Sequence, residues 1–435
     1  MNLKNKHVIV LGAGSSGRDA AALALREGAN VSVHDSRGEI TGIAEGVKTV
    51  AGASVSTGQE SRCDLLVLSP GIDGETEFVQ SYARNAGEMI GEIELAYRYY
   101  HGRIVAITGT NGKTTTTELV ERILTHQGFS CKACGNYGPT FSEMVLMEEV
   151  PEVVALEVSS FQLETIRDFH PGVVIWLNFS ADHMDRYPTI DAYKAAKLRI
   201  FENLTADDTV VVRAGEDIGE QIAGTHTFST ECEADYTFNG QSIAYQGDSQ
   251  LDLSQTRLRG LHNAENAMAA FAACKVLGVS AQEAEASLIG FAPPLHRCEL
   301  VRTLDGVEYI NDSKATNLHA LDSALRSQGR PVVLIAGGKQ KGLDYTEILP
   351  RLKSTTKGIV VFGEIADQLA QTFESFSARI PCEVVTSLDE AVVAASRLAE
   401  HGDTILFSPG TSSFDMFAGY EERGDCFRRA VHQLK

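Results

Sequence analysis

Short runs of valine, isoleucine and leucine recur along the chain, separated by Ala-, Leu- and Glu-rich stretches with helical spacing. The runs are His7–Leu11, Val31–Asp35, Asp64–Ser69, Ile104–Thr108, Val153–Glu157 and Val173–Asn178. The series resumes at Val332–Ala336, Ile359–Phe362 and Thr404–Ser408. A strand that is apolar on both faces has to be covered on both faces, so this alternation predicts an α/β architecture of parallel sheets between helices. From Asp207 to Arg259 the chain is richer in Thr, Ser, Gln and Gly, which predicts antiparallel strands and turns. At roughly 150 residues per domain, 435 residues make about three domains. Boundaries near Ile93 and at Pro293-Pro294 divide them into 1–93, 94–294 and 295–435. No internal repeat or low-complexity tract competes with that division.

Charge narrows the range of partners. Thirty-eight basic against 58 acidic side chains leave a formal charge of −20, a field that repels phosphate backbones and anionic lipid. Nucleic acid is therefore not an expected partner. No apolar run approaches the roughly 20 residues that span a bilayer, so no membrane insertion is expected. Lys4 and Lys6 precede an apolar stretch, but that stretch ends after Val8–Leu11 and reads as a first strand, not an export signal. A cytoplasmic protein, and a monomer, is the expectation. Of eight scattered cysteines only Cys131 and Cys134 have metal-like spacing, and no second pair completes a zinc site.

Two glycine-rich loops carry chemistry. His7–Leu11 runs into GAGSSG (Gly12–Gly17) and a helix, and the next strand ends on Asp35. This fits a dinucleotide site, another nucleotide site or a tight structural turn. Ile104–Thr108 runs into GTNGKTTT (Gly109–Thr116). Amides of Gly109, Thr110, Asn111, Gly112 and Thr115 in such a loop cradle phosphates. Lys113 reaches the terminal phosphoryl group, and the Thr114 hydroxyl can ligate Mg²⁺. A triphosphate site has no use in hydride transfer, which weakens the dinucleotide reading of the first loop.

Glu157 and His183 follow successive strands beside this loop and are candidate Mg²⁺ ligands. Lys194 and Lys197 share a face of a helical run over Tyr193–Phe201, and spacing alone favours solvated lysines. Asn263 and Asn266, also three apart, are equally suited to gripping a base or phosphate and to capping a helix.

Taken together, GTNGKTT, LEVSSFQLE, DHMDRYP, AKLRI, HNAEN, His296-Arg297, NDSKATN and SPGTSSFD resemble the Mur ligase family, in this order and over essentially the whole chain. Within the family they are similar to its D-glutamate-adding members. The resemblance implies three domains: a Rossmann-like one, a P-loop ATPase-like one with a small antiparallel portion, and a second Rossmann-like one. It implies an ATP-dependent acid–amino-acid ligase of peptidoglycan precursor synthesis. UDP-N-acetylmuramoyl-L-alanine would be activated as an acyl phosphate and attacked by D-glutamate, releasing ADP and phosphate. Thr114, Glu157, His183 and Lys197 would hold two Mg²⁺ ions, Lys197 as a CO₂-derived carbamate. ATP would take the phosphate loop, Asn263, Asn266, Arg297 and Asp312. Ser15, Ser16, Asp35, Ser36, Arg37, Ser69, Pro70, Gly71 and Asn136 would meet the UDP substrate. Lys314, Thr316, Lys341, Ser413 and Tyr420 would surround the amino acid.

Overall fold

The computed structural model describes residues 1–184, 186–219, 224–258, 260–291, 295–376 and 380–435. Asp185, Arg259 and the Pro293-Pro294 boundary lie outside them. The described strands form three sheets. The first contains β1 (His7–Leu11), β2 (Asn30–Asp35), β3 (Lys48–Ala51), β4 (Cys63–Leu68) and β5 (Ala86–Gly91). It is wholly parallel, in the order β3-β2-β1-β4-β5.

The second sheet contains β6 (Arg103–Thr108), β7 (Cys131–Gly135), β8 (Val153–Glu157), β9 (Val173–Trp176), β10 (Thr209–Arg213) and β11 (Thr225–Ser229). It continues with β12 (Tyr236–Phe238), β13 (Ser242–Tyr245) and β14 (Asp248–Asp252). Its order is β14-β13-β12-β11-β10-β9-β6-β8-β7. The polar stretch after Asp207 is antiparallel only at its far end. There β12, β13 and β14 form a meander, whereas β10 and β11 extend the parallel sheet. The buried centre of β10, Val210–Val212, accounts for this, because a strand covered on both faces suits parallel pairing.

The third sheet contains β15 (Glu299–Leu304), β16 (Val307–Asn311), β17 (Val332–Gly337), β18 (Thr356–Phe362), β19 (Cys382–Val384) and β20 (Thr404–Phe407). Its order is β15-β16-β20-β17-β18-β19, with only the β15–β16 pair antiparallel.

The chain divides into two compact units. Met1–Phe179, Arg186–Asp252 and Asn266–Leu288 form the first, and Ser180–Asp185, Leu253–Glu265 and Ile289–Lys435 the second. The first two sheets share a unit because they share a core. Leu23, Ala24, Ile93, Leu95 and Tyr100 pack in one cluster with Phe141, Met144, Val154, Leu156 and Trp176. Polar ties reinforce it. Glu94, fully buried, accepts from Arg98 Nε and from the amides of Arg167, Asp168 and Phe169. In the second unit, helices on the two faces of the third sheet bury separate clusters around Leu334 and Ile335.

The cysteine pair takes no metal geometry. Cys131 and Cys134 lie on β7, where residues three apart point to opposite faces of the sheet. Both are buried, and burial pushes the Cys131 thiol up to about 12 and the Cys134 thiol well above its usual range. Among the described residues no helix is long and apolar enough to cross a membrane.

Candidate active site

The phosphate loop leaves the C-terminal end of β6 in the first unit. Gly112 adopts a left-handed conformation (φ 87°) and precedes the helix Lys113–His126; a Cβ there would lie 2.3 Å from Asn266 Oδ1. Glycine is thus required on two counts, and Asn266 borders this loop. Asn178 shapes the loop from beyond β9. Its Oδ1 accepts the Asn111 amide at 2.9 Å, its Nδ2 donates to the Asn111 carbonyl at 3.1 Å, and its own carbonyl accepts the Thr110 amide. No sequence motif pointed to that role. Lys113 Nζ donates to the carbonyls of Gly109 and Thr110, both at 2.9 Å, which holds its charge over the loop.

Glu157 ends β8 and is 2% exposed. Its Oε2 accepts the Thr114 hydroxyl at 2.8 Å and its Oε1 accepts Asn136 Nδ2 at 2.8 Å. Lys197 is likewise 2% exposed, and its Nζ donates to the Gly109 carbonyl at 3.0 Å. The solvated-lysine reading therefore fails for Lys197 and holds for Lys194, which pairs with exposed Asp217 at 2.6 Å. Helical spacing could not separate them, because it fixes their relative angle and not which of them faces inward.

These residues suit a small hard cation. Adjacent oxygens on an octahedral ion with bonds of about 2.0–2.1 Å lie about 2.9 Å apart, close to the Thr114–Glu157 separation of 2.8 Å. Among the described residues no group of three or more His, Cys, Asp or Glu side chains has metal-site geometry. An ion held by Thr114 and Glu157 would therefore complete its shell with phosphate and water oxygens, as Mg²⁺ commonly does.

The loop after β1 is a close backbone approach: a Cβ on Gly17 would sit 1.9 Å from the Gly12 carbonyl oxygen. Ser15 and Ser16 open the helix Ser15–Arg26, whose N-terminus has no side-chain cap. Asp35 accepts the Ala13 amide at 2.8 Å and a two-pronged contact from Arg37 at 2.9 and 2.7 Å. The Arg37 guanidinium holds this carboxyl well below the usual range. Asp35 thus organises the loop and Arg37, where the fingerprint reading expected an acid open to sugar hydroxyls. Ser36 is exposed beside them. Ser69 heads the Ser69-Pro70-Gly71 turn after β4, and its buried hydroxyl oxygen has no hydrogen-bond partner. That oxygen packs against the glycine loop, close to where Cβ atoms on Gly12 and Gly17 would lie.

In the second unit Arg297 is held between two left-handed residues, His296 (φ 64°) and Cys298 (φ 45°). Asp312, following β16, secures the turn. It accepts the Cys298 amide at 3.2 Å and the Ser408 hydroxyl at 2.8 Å, and burial pushes its carboxyl up to about 7. Asn263 is buried next to His262, whose imidazole is lowered to about 4 by burial and then by Arg297. Lys314 places its ammonium 3.6 Å from the Tyr420 ring centre. Ser413 is buried, and its carbonyl accepts the amides of Met416 and Phe417. Lys341 Nζ lies 3.4 Å from the Thr316 carbonyl and 3.6 Å from Asp182. Lys339 is instead tied through its backbone to Ser412 and Thr411.

One second-unit feature was not legible. Arg423, fully buried, donates to the Ser313 and Thr411 carbonyls at 2.8 and 3.1 Å and so joins the NDSKATN and SPGTSSFD loops. No motif marks it; an arginine amid the apolar positions of the last helix was the only signal. His183 belongs to a segment of this unit, in a left-handed conformation (φ 58°), with its amide on Asp182 Oδ1 at 2.9 Å. Of the four expected metal ligands, Thr114, Glu157 and Lys197 belong to the first unit and His183 to the second.

Residues 107–274 match the Mur ligase middle domain and residues 296–410 the Mur ligase glutamate ligase domain. Over its whole length the chain is 40% identical to a UDP-N-acetylmuramoylalanine–D-glutamate ligase of Geobacter metallireducens, covering 99% of it. It is 37% identical to the enzyme of that name from Alkaliphilus metalliredigens, with 100% of both chains covered. Among solved structures, the UDP-N-acetylmuramate–alanine ligase of Thermotoga maritima superposes with a TM-score of 0.63 at 18% identity, over 99% of this chain and 100% of that one. The MurF ligase of Thermotoga maritima, in complex with ADP, gives 0.61 at 18% identity, over 99% and 96%. At such identities the structural likeness is one of fold, but the domain matches and full-length relatives go further: the chain belongs to the Mur ligase family.

Proposed function

We infer that this chain is an ATP-dependent ligase that joins D-glutamate to UDP-N-acetylmuramoyl-L-alanine in peptidoglycan precursor synthesis. The observation that carries the reading is the phosphate loop with Lys113 and the Thr114–Glu157–Asn136 contacts, in a chain that aligns end to end with ligases of that name. Its substrates are soluble nucleotides and an amino acid, so we place it in the cytoplasm.

A carboxylate oxygen of UDP-N-acetylmuramoyl-L-alanine attacks the γ-phosphorus of ATP, and ADP leaves. The neutral amine of D-glutamate then attacks the acyl carbon, and phosphate leaves. Such phosphoryl transfer depends mostly on positioning and charge neutralisation. Lys113 and the loop amides take the triphosphate, and Asn266 borders them. Thr114 and Glu157 would hold Mg²⁺, and Lys197 and His183 would each be a candidate ligand of a second ion. Bound Mg²⁺ neutralises the charge that develops on the phosphate oxygens. CO₂ would add to the neutral amine of Lys197 with loss of a proton, giving a carbamate whose carboxylate could bind metal. In the second unit Arg297 and Asp312 meet ATP together with Asn263, and Lys314, Thr316, Lys341, Ser413 and Tyr420 receive D-glutamate. The GAGSSG loop, Ser36, Arg37 and the Ser69 turn take the UDP portion. Residues 1–93, 94–294 and 295–435 correspond to these three tasks.

ADP release with D-glutamate, L-glutamate and L-alanine side by side tests this. Release dependent on UDP-N-acetylmuramoyl-L-alanine and D-glutamate is expected. Release only with L-alanine and UDP-N-acetylmuramate, or with L-glutamate and a folate, would replace the assignment.

A further inference from the structure

Lys341, the lysine assigned above to a carboxylate of the amino acid, already faces a carboxylate of the protein. Asp182 Oδ1 lies 3.6 Å from its Nζ. Among the described residues that ammonium also meets the Thr316 carbonyl, at 3.4 Å. Both are long for charge-assisted contacts, whose usual N···O separation is about 2.7–2.9 Å. Asp182 does not depend on the lysine. Its Oδ2 accepts Asn317 Nδ2 at 3.0 Å, and its Oδ1 accepts the His183 amide at 2.9 Å. Asn317 is itself fixed, because its Oδ1 caps the helix Leu318–Arg326 at the Ala320 amide, 2.8 Å away. The carboxylate is therefore held in place by two donors that remain when the ammonium leaves, and the ammonium is held loosely.

We propose that Asp182 is a placeholder for the substrate carboxylate: it keeps Lys341 oriented in the free enzyme and competes with the incoming amino acid for it. Binding exchanges one ion pair for another, so the Asp182 contact has to be given up as the substrate carboxylate takes the lysine. Part of the affinity is lost with it, which leaves the site discriminating between amino acids whose second carboxylate does or does not reach Lys341. Asp182 is on this view a specificity-determining positioning residue. The inference rests on the assignment of Lys341 to the amino acid.

The test is steady-state kinetics at saturating ATP and Mg²⁺ with three variants of the full chain. Lys341→Ala is expected to raise KM for D-glutamate at least tenfold. Asp182→Asn is expected to lower that KM by about two- to fivefold, the range of a partly exposed ion pair, with KM for ATP unchanged. Asp182→Glu, which keeps the charge, is expected to leave KM for D-glutamate at or above the wild-type value. Should Asp182→Asn not fold, Asp182→Ser carries the same expectation. An unchanged or raised KM in the neutral variants, alongside a raised KM in Lys341→Ala, would overturn the placeholder alone. An unchanged KM in Lys341→Ala would overturn the assignment of Lys341 and the placeholder with it.

Discussion

At the scale of single residues, Lys197 shows what spacing cannot reach. Two lysines three apart on a helix look alike in sequence, yet one is half-buried and paired with exposed Asp217 and the other is buried against Gly109. Only the resemblance to known ligases singled it out. Lys197→Ala is expected to lower turnover at least a hundredfold, with partial recovery when formate or acetate is supplied in place of the lost carboxylate. Full activity without supplement would refute the metal-binding role. A second residue lends itself to a pH measurement. Glu92 is fully buried, accepts the Ser142 amide at 2.6 Å, and is raised by burial from 4.5 to about 7. The folded chain holds this proton from roughly pH 4.5 to 7, where the unfolded chain has released it. Stability from this group is therefore fullest below that window and falls as pH rises through it, by up to about 3 kcal/mol. Glu92→Gln should flatten that slope in denaturant titrations between pH 5 and 8, and an unchanged slope would contradict the assignment.

At the scale of elements, the strands read correctly from sequence are those buried along most of their length. Val153–Glu157 and His7–Leu11 agree with the expected runs to the residue, and the core of β6 lies one residue inside its observed start. β3, β5, β7, β15 and β19 went unread. Their positions are largely exposed or half-buried, or rest on Cys, Ala and Gly, so no continuous apolar run announces them. The loops behave differently, because glycine marks them. Gly112→Ala combines a left-handed backbone with a Cβ 2.3 Å from Asn266, so it should abolish ATP binding by calorimetry while far-ultraviolet circular dichroism changes little. ATP affinity within threefold of wild type would show that the loop tolerates a wider turn.

At the scale of the molecule, three sheets were legible in the sequence but their grouping into two units was not, since shared burial is a property of packing and not of pattern. Scanning calorimetry should resolve two unfolding transitions and not three, the first two sheets melting together because they share a core. Three resolved transitions would separate them. That shared core also governs how such a chain can be recombined. Leu23 and Ala24 of the first sheet's helix touch the same cluster as Phe141 and Trp176 of the second. A chimera joined near residue 100 would inherit two half-surfaces drawn from different ancestors, each shaped to a partner it no longer has. Gene shuffling should therefore tolerate breakpoints after Leu288 far better than breakpoints between the first two sheets.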